Sequence, residues 1–277
     1  VDSPDLSLNI SREMLQHDRQ VRIIANSLEK RIKSELKKMM TDEPEKYDKF
    51  FSNFGLQLKY GIVNNFGAKK DLLSDLMVFY SAKEGKPISL ADYVSAMPEE
   101  QNEIYYACGE TVAKTSMLPQ TELVRERGFD ILFFTDEVDE FVANILENYS
   151  GKPFKSVNAN DLDLQSDEEK KELEEKVEGS RDLLAFVRDT LNGQVVDVVL
   201  SHKLKTAPSC LSARGEITLD MEKYFSAVPN ESDRIKADRV LELNGEHKTF
   251  AALADAYATD KDKAAKYAQL LYYQALL

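Results

Sequence analysis

The spacing of apolar positions changes near residue 100, and that change divides the chain. Val1–Leu8 reads as extended, with Pro4 disfavouring helix in the residue before it. A helix is predicted from Asn9 or Ser11, with Ser11 as its cap and Met14 as a first-turn apolar contact. Val21, Ile24, Leu28, Ile32, Leu36 and Met39 then recur every three or four residues, one face of a helix that Pro44 closes. At 1.5 Å per residue the rod is about 45 Å long, a strut rather than a pocket wall. A second helical block is expected from Tyr47 to Met97, interrupted at Gly61, Gly67 and Pro87, with Leu72, Leu73, Leu76 and Phe79–Tyr80 as its apolar stripe. Its last part, 88–97, reads as a short helix stopped by Pro98.

Beyond residue 100 strand-like runs appear at Ile104–Cys108, Phe129–Phe134 and Phe154–Val157. Helical stretches separate them at Pro119–Arg127 and Glu137–Tyr149. This β-α-β-α-β order predicts a small, mostly parallel sheet covered by helices. Residues 161–178 are strongly acidic and read as a solvated linker entering an exposed helix, with a boundary near 165. Leu183, Leu184, Phe186, Val187 and Leu191 continue a buried helix. Strands are then expected at Val195–Leu200, Ser209–Ala213 and Val240–Leu243, and a short amphipathic helix at Leu219–Val228. Lys261–Leu277 reads as a final helix with Tyr267, Leu270, Leu271 and Ala275 on one face.

Composition narrows the classes. The 277 residues carry 36 Lys and Arg against 49 Asp and Glu, a net charge of −13, which repels nucleic-acid phosphate. Apolar residues make up 43%, enough for a core, yet no run approaches the roughly 18 apolar residues of a membrane span. Neither nucleic acid nor membrane is therefore an expected partner. Cys108 and Cys210 supply neither a disulfide framework nor a four-ligand zinc site, so no metal is expected and a reducing, cytoplasmic compartment is. The chain starts Val-Asp-Ser-Pro and stops on Ala-Leu-Leu, and is read as part of something longer.

Catalytic patterns are missing from this stretch. Gly55, Gly61 and Gly67 lack the strand-to-helix setting of a phosphate loop, and His17, His202 and His247 form no metal motif. Cys108 or Cys210 beside a histidine is a formal nucleophile, but cysteines in apolar strands are packing residues first.

Several segments, in order from the first residue to the last, resemble the ninety-kilodalton heat-shock chaperone family, most closely its bacterial branch. They are Val1–Gln16 (VDSPDLSLNISREMLQ), Ile104–Glu110 (IYYACGE), Asp130–Phe141 (DILFFTDEVDEF), Gly151–Val157 (GKPFKSV) and Ser201–Leu211 (SHKLKTAPSCL). The resemblance implies a multi-domain α+β or α/β chain. Residues 1–100 would be a middle-domain loop and helical connector, and 101–164 a small three-layer α/β/α unit. Residues 165–277 would be a mixed α/β dimerisation domain lacking its last helix. The nucleotide-binding domain would precede Val1, so no enzyme activity and no cofactor are expected of this stretch, and ATP and Mg of the full-length protein.

The resemblance also assigns residues. Arg12 matches an arginine that reaches the γ-phosphate of ATP, where a planar, permanently charged guanidinium neutralises developing charge. Gln16, one turn on, matches a second residue of that loop. The alternative for Arg12 is a solvated arginine at a helix start. Ile217, Met221, Tyr224 and Phe225 fall at i, i+4, i+7 and i+8, an apolar stripe flanked by Glu216, Asp220, Glu222 and Lys223. In the family the corresponding helix offers an adaptable surface to partly folded client proteins, and Phe141 matches an aromatic on the opposite wall of that cleft. Packing within its own domain is the plainer reading of the same stripe. Tyr267, Leu270 and Leu271 are the expected contacts of a homodimer, weakened if the last helix is absent. A dimerisation scaffold without a client role would share all these features.

Overall fold

The computed structural model of the chain describes residues 19–215, 217–227 and 235–276. Arg12 and Gln16 lie outside the described residues. The rod is present as α1 (Arg19–Asp42), followed at once by α2 (Pro44–Val63). Pro44 occupies the first turn of α2, where its missing N–H leaves no bond unmade. Leu36 packs on the core, whereas Leu28 and Ile32 are 43% and 57% exposed, so the stripe of α1 is used only toward its C-terminal end. A single turn, α3 (Lys70–Leu73), lies against α1, where Lys33 donates to the Asp71 carbonyl at 2.9 Å.

The helical reading of the region up to 97 needs one correction. Val78–Ser81 is strand β1, which turns through Gly85 (φ +67°) into β2 (Pro87–Ser89). Phe79 and Tyr80 are therefore not neighbours on a helical stripe; they point to opposite faces of a sheet and join different core clusters. Aromatic residues and a turn containing glycine favour this hairpin over helix locally. The capping box of Ser89 and Asp92 then starts α4 (Leu90–Ala96).

The expected strands follow as β3 (Ile104–Cys108), β4 (Leu132–Phe134) and β6 (Lys152–Ser156). Between them lie α5 (Val112–Ser116), α6 (Glu122–Glu126), α7 (Asp139–Leu146) and the short β5 (Asn148–Tyr149). β3 is parallel to β4 and to β6, as the alternating order predicts. The sheet is mixed and six-stranded rather than a small parallel one, with order β2-β1-β4-β3-β6-β5, because two antiparallel hairpins extend its edges. Its residues alternate between faces. Ile104, Tyr106, Leu132 and Phe134 pack with Tyr93 of α4 and Val142 of α7, while Tyr105, Ala107 and Phe133 pack with Val124 of α6.

The acidic stretch becomes the helix α8 (Asp167–Thr190), capped by Ser166 and Glu169 with three acidic residues in its first turn, a favourable match to the helix dipole. It packs on a second sheet of β7 (Asp197–Leu200), β8 (Ser209–Arg214) and, beyond α9 (Leu219–Ala227), β9 (Asp238–Leu243). The order is β7-β9-β8, with β9 parallel to β7 and antiparallel to β8. Two helices in contact close the fold, α10 (Lys248–Thr259), to which the sequence analysis assigns no element, and α11 (Lys261–Ala275), which it expects. The face expected of α11 is divided. Leu271 is 6% exposed and lies in the core with Ala264, Ala268 and Tyr272, whereas Leu270 is 61% exposed beside Tyr273 at 57%.

The two sheets are joined through the segments that flank their strands. Lys203 Nζ donates to the Ala159 carbonyl (2.9 Å), Gln120 Nε2 to the Leu211 carbonyl (3.1 Å), and Ala159 bridges to Ala213.

Candidate functional site at the α7–α9 cleft

Asp139 opens α7, and its Oδ2 accepts from the backbone N–H groups of Thr135 and Asp136 at 3.1 and 3.0 Å, closing the turn after β4. Its other oxygen faces Lys59 Nζ of α2 at 2.6 Å, an ion pair whose members are 1% and 5% exposed. Helix α7 is thereby held at a defined height against the sheet. It carries Glu140 and Phe141 toward α9 on consecutive residues.

Thr218 sits just before α9, where its Oγ1 accepts from the Met221 N–H at 3.2 Å as a helix cap. The same hydroxyl donates to Glu140 Oε2, and the Tyr106 hydroxyl donates to Glu140 Oε1 at 3.2 Å. Glu140, 4% exposed, thus ties β3, α7 and the start of α9 together. Burial pushes its carboxyl up to about 7; the hydrogen bond from Thr218 opposes the rise, the Asp220 charge adds to it, and the hydrogen bond from Tyr106 opposes it. Cys108 lies on the same side, its thiol pushed up by burial and by the charges of Glu140 and Asp220.

A carboxyl raised in the folded state stabilises the fold most below its ordinary value of 4.5, and that contribution is lost as pH rises through about 7. The full linkage is on the order of 3 kcal/mol. Glu140→Gln, which keeps the uncharged shape, is expected to flatten the fall in melting temperature between pH 5 and pH 8. Parallel pH profiles for the two proteins would show that Glu140 does not titrate in this range.

Beside this polar contact lies the aromatic one. Phe141 meets Tyr224 edge-on with centroids 5.0 Å apart and Phe225 at 5.8 Å, and all three rings are half-buried. Asn144 Nδ2 lies 3.9 Å from Met221 Sδ. Met221 itself is 6% exposed, so this thioether is packed in the cleft, and Ile217 is half-buried. A groove of about 270 Å³ opens at the contact, lined by Phe141, Met221 and Tyr224 with Glu110, Asp136, Glu137 and Lys223 at its rim.

The structure therefore brings Phe141, Met221, Tyr224 and Phe225 into one cleft and leaves Tyr267, Leu270 and Leu271 on a separate helix. Sequence reading missed Glu140, Tyr106, Thr218 and the Lys59 ion pair. The Thr218-x-x-Met221 cap was a visible local signal, but the partners of a buried carboxylate 78 residues away were not. Three metal-capable side chains also converge here: one ligand atom each of Cys108, Glu140 and Asp220 lies within 4.8 Å of the others. Among the described residues no helix is long and apolar enough to cross a membrane.

A family model described as Hsp90 protein matches residues 1–277. Proteins called "Chaperone protein HtpG" are similar along the whole chain: 50% identical in Bacillus subtilis (strain 168), 48% in Clostridium botulinum (strain 657 / Type Ba4) and 49% in Clostridium acetobutylicum. In each case the match covers 100% of this chain and 44% of the relative, so the chain spans less than half the length of the curated relatives it matches.

Proposed function

The chain belongs to the Hsp90 family, and from that premise we propose that it is part of an ATP-dependent molecular chaperone that holds partly folded client proteins in the α7–α9 cleft. The observation that carries this reading is the half-buried aromatic cluster of Phe141, Tyr224 and Phe225, with Met221 beneath it. Aromatic rings and a thioether give a contact surface that adapts to many apolar sequences without demanding one shape. The cluster joins two elements rather than filling one core, so a modest shift of α9 against α7 would open it to a client.

The remaining assignments belong to the same proposal. Residues 1–100 would act as loop and connector, 101–164 as the small α/β/α unit and 165–277 as the dimerisation domain. Dimerisation would use α11 through Tyr267, Leu270 and Leu271, of which Leu270 is 61% exposed and Leu271, 6% exposed, supports it from inside. Arg12, assisted by Gln16, would complete the ATPase site of the full-length protein, which would use ATP and Mg and act in the cytoplasm. By itself this chain would neither bind nor hydrolyse ATP appreciably.

Phe141→Ser with Phe225→Ser is expected to abolish most of the chain's suppression of aggregation of a thermally unfolding protein, while lowering its own melting temperature only slightly, since both rings are half-buried. Unchanged suppression would favour the alternative reading, a dimerisation scaffold with no client role.

A further inference from the structure

We infer that the α7–α9 cleft selects its client segments by charge, taking those in which a large apolar side chain stands beside lysine or arginine. The inference rests on the client reading above and names the class of polypeptide that the cleft would take. The groove of about 270 Å³ is apolar inside and anionic around its edge. Phe141, Met221 and Tyr224 line it, and Glu110, Asp136, Glu137 and Asp220 stand around them. Lys223 is the one cation of that lining among the described residues. The carboxylates come from three places: the end of β3, the turn between β4 and α7, and the first turn of α9. Only the folded chain gathers them around the aromatic contact.

The neighbouring cations do not cancel this charge. Asp136 lies 2.8 Å from Lys59 Nζ, yet the same ammonium faces Asp139 at 2.6 Å, so one cation serves two carboxylates. Glu110 pairs with Lys114 one helical turn on, and both side chains are exposed. Lys223 Nζ reaches Asp220 Oδ1 at 3.2 Å from a side chain that is itself 78% exposed. Exposed pairs of this kind hold each other weakly and exchange partners at little cost. Glu137 is exposed and makes no ion pair among the described residues. An arriving ammonium or guanidinium therefore finds carboxylates that are free or loosely engaged.

The setting strengthens their effect. Apolar walls keep water from screening the field on one side, so carboxylates beside a groove count for more than the same groups on an open surface. The rings contribute as well, since a cation is drawn to the face of phenylalanine or tyrosine. An apolar client residue would enter between Phe141 and Tyr224, and a basic neighbour in its sequence would then lie at the level of the rim. An acidic neighbour would meet repulsion from the same residues, so one arrangement recruits the first class and rejects the second. The net charge of −13 attracts any cationic chain to any part of the surface. Coupling that attraction to an aromatic contact is particular to the cleft.

The test titrates the chain into short fluorescein-labelled peptides of equal length, each with a central phenylalanine flanked by lysines, by glutamines or by glutamates. At low salt the lysine peptide should bind at least about tenfold tighter than the glutamate peptide, with the glutamine peptide between them and the gap narrowing at high salt. Glu137→Lys should cut that preference about fivefold, the scale of losing one exposed attraction and gaining one repulsion. Glu174→Lys makes the same change of net charge on an exposed position of α8, outside the cleft, and should leave the preference unchanged. Equal binding of the three peptides, or equal effects of the two variants, would overturn selection by the cleft. The glutamine peptide separates this inference from the reading beneath it. If Phe141→Ser with Phe225→Ser weakens its binding, the cleft takes clients and the charged peptides alone decide the inference. If that variant binds it as wild type does, the client reading falls and this inference falls with it.

Discussion

Lys203→Met is expected to destabilise the chain by roughly 3–5 kcal/mol and to lower its melting temperature by roughly 10 °C. Lys203 and Glu242 form an ion pair at 2.6 Å with side chains 0% and 2% exposed. Lys203 Nζ also donates to the Ala159 carbonyl, and Glu242 Oε2 accepts from the Ser201 hydroxyl at 2.7 Å. Methionine fills the same space but leaves a carboxylate in the interior without its cation. The chain must then bear that charge or protonate Glu242, and both are costly. The damage is not confined to one sheet, because Ala159 follows β6 of the first and Glu242 belongs to β9 of the second. Replacing both partners, Lys203→Met with Glu242→Leu, should recover most of the loss. Calorimetry of the two single variants and the double variant measures this. A Lys203→Met protein within about 1 kcal/mol of wild type would mean that the pair is hydrated and the sheets are not locked together there.

The second large effect is kinetic. In the full-length protein, Arg12→Ala should slow ATP hydrolysis about 100-fold or more while changing nucleotide affinity only a few-fold. If Arg12 reaches the γ-phosphate, as the resemblance implies, its guanidinium would act mainly where charge develops during transfer, so rate would fall more than affinity. Arg12→Lys should rescue little, since an ammonium lacks the planar pair of donors. Single-turnover hydrolysis together with equilibrium nucleotide binding separates the two quantities. An unchanged turnover would remove Arg12 from the mechanism, and an equal loss of rate and affinity would make it a binding residue.

How far the sequence could be read depended on whether a feature was local. The parallel strands around Ile104–Cys108 and Leu132–Phe134 were visible as short apolar runs between helical ones. The hairpin at 78–89 was obscured because Leu72, Leu73 and Leu76 lead into Phe79–Tyr80 at a spacing that also fits a helix. Gly85 and Pro87 were the signals that favoured the turn. On α11 the spacing of Tyr267, Leu270, Leu271 and Ala275 suggested one face, but at 100° per residue Leu270 and Leu271 lie far enough apart to fall on opposite sides of a narrow seam. Nothing in the sequence singles out Lys59, Lys203, Glu140 or Glu242, and only the folded chain shows them buried in partnered positions. The cleft was legible for a different reason. Phe141 and the 217–225 stripe were linked by resemblance, and in the structure Phe141 lies against Tyr224 and Phe225.

Site-specific photo-crosslinking tests the client reading most directly. A photoreactive phenylalanine analogue placed in turn at Phe141, Tyr224 and Ile32 would be exposed to a labelled, thermally unfolding protein. Ile32 is an exposed apolar position on α1, 57% accessible, and controls for general stickiness. A client-holding cleft gives strong adducts from 141 and 224 that grow as the client unfolds, and weak, unchanging adducts from 32. Equal labelling from all three positions, or none from 141 and 224, would contradict it.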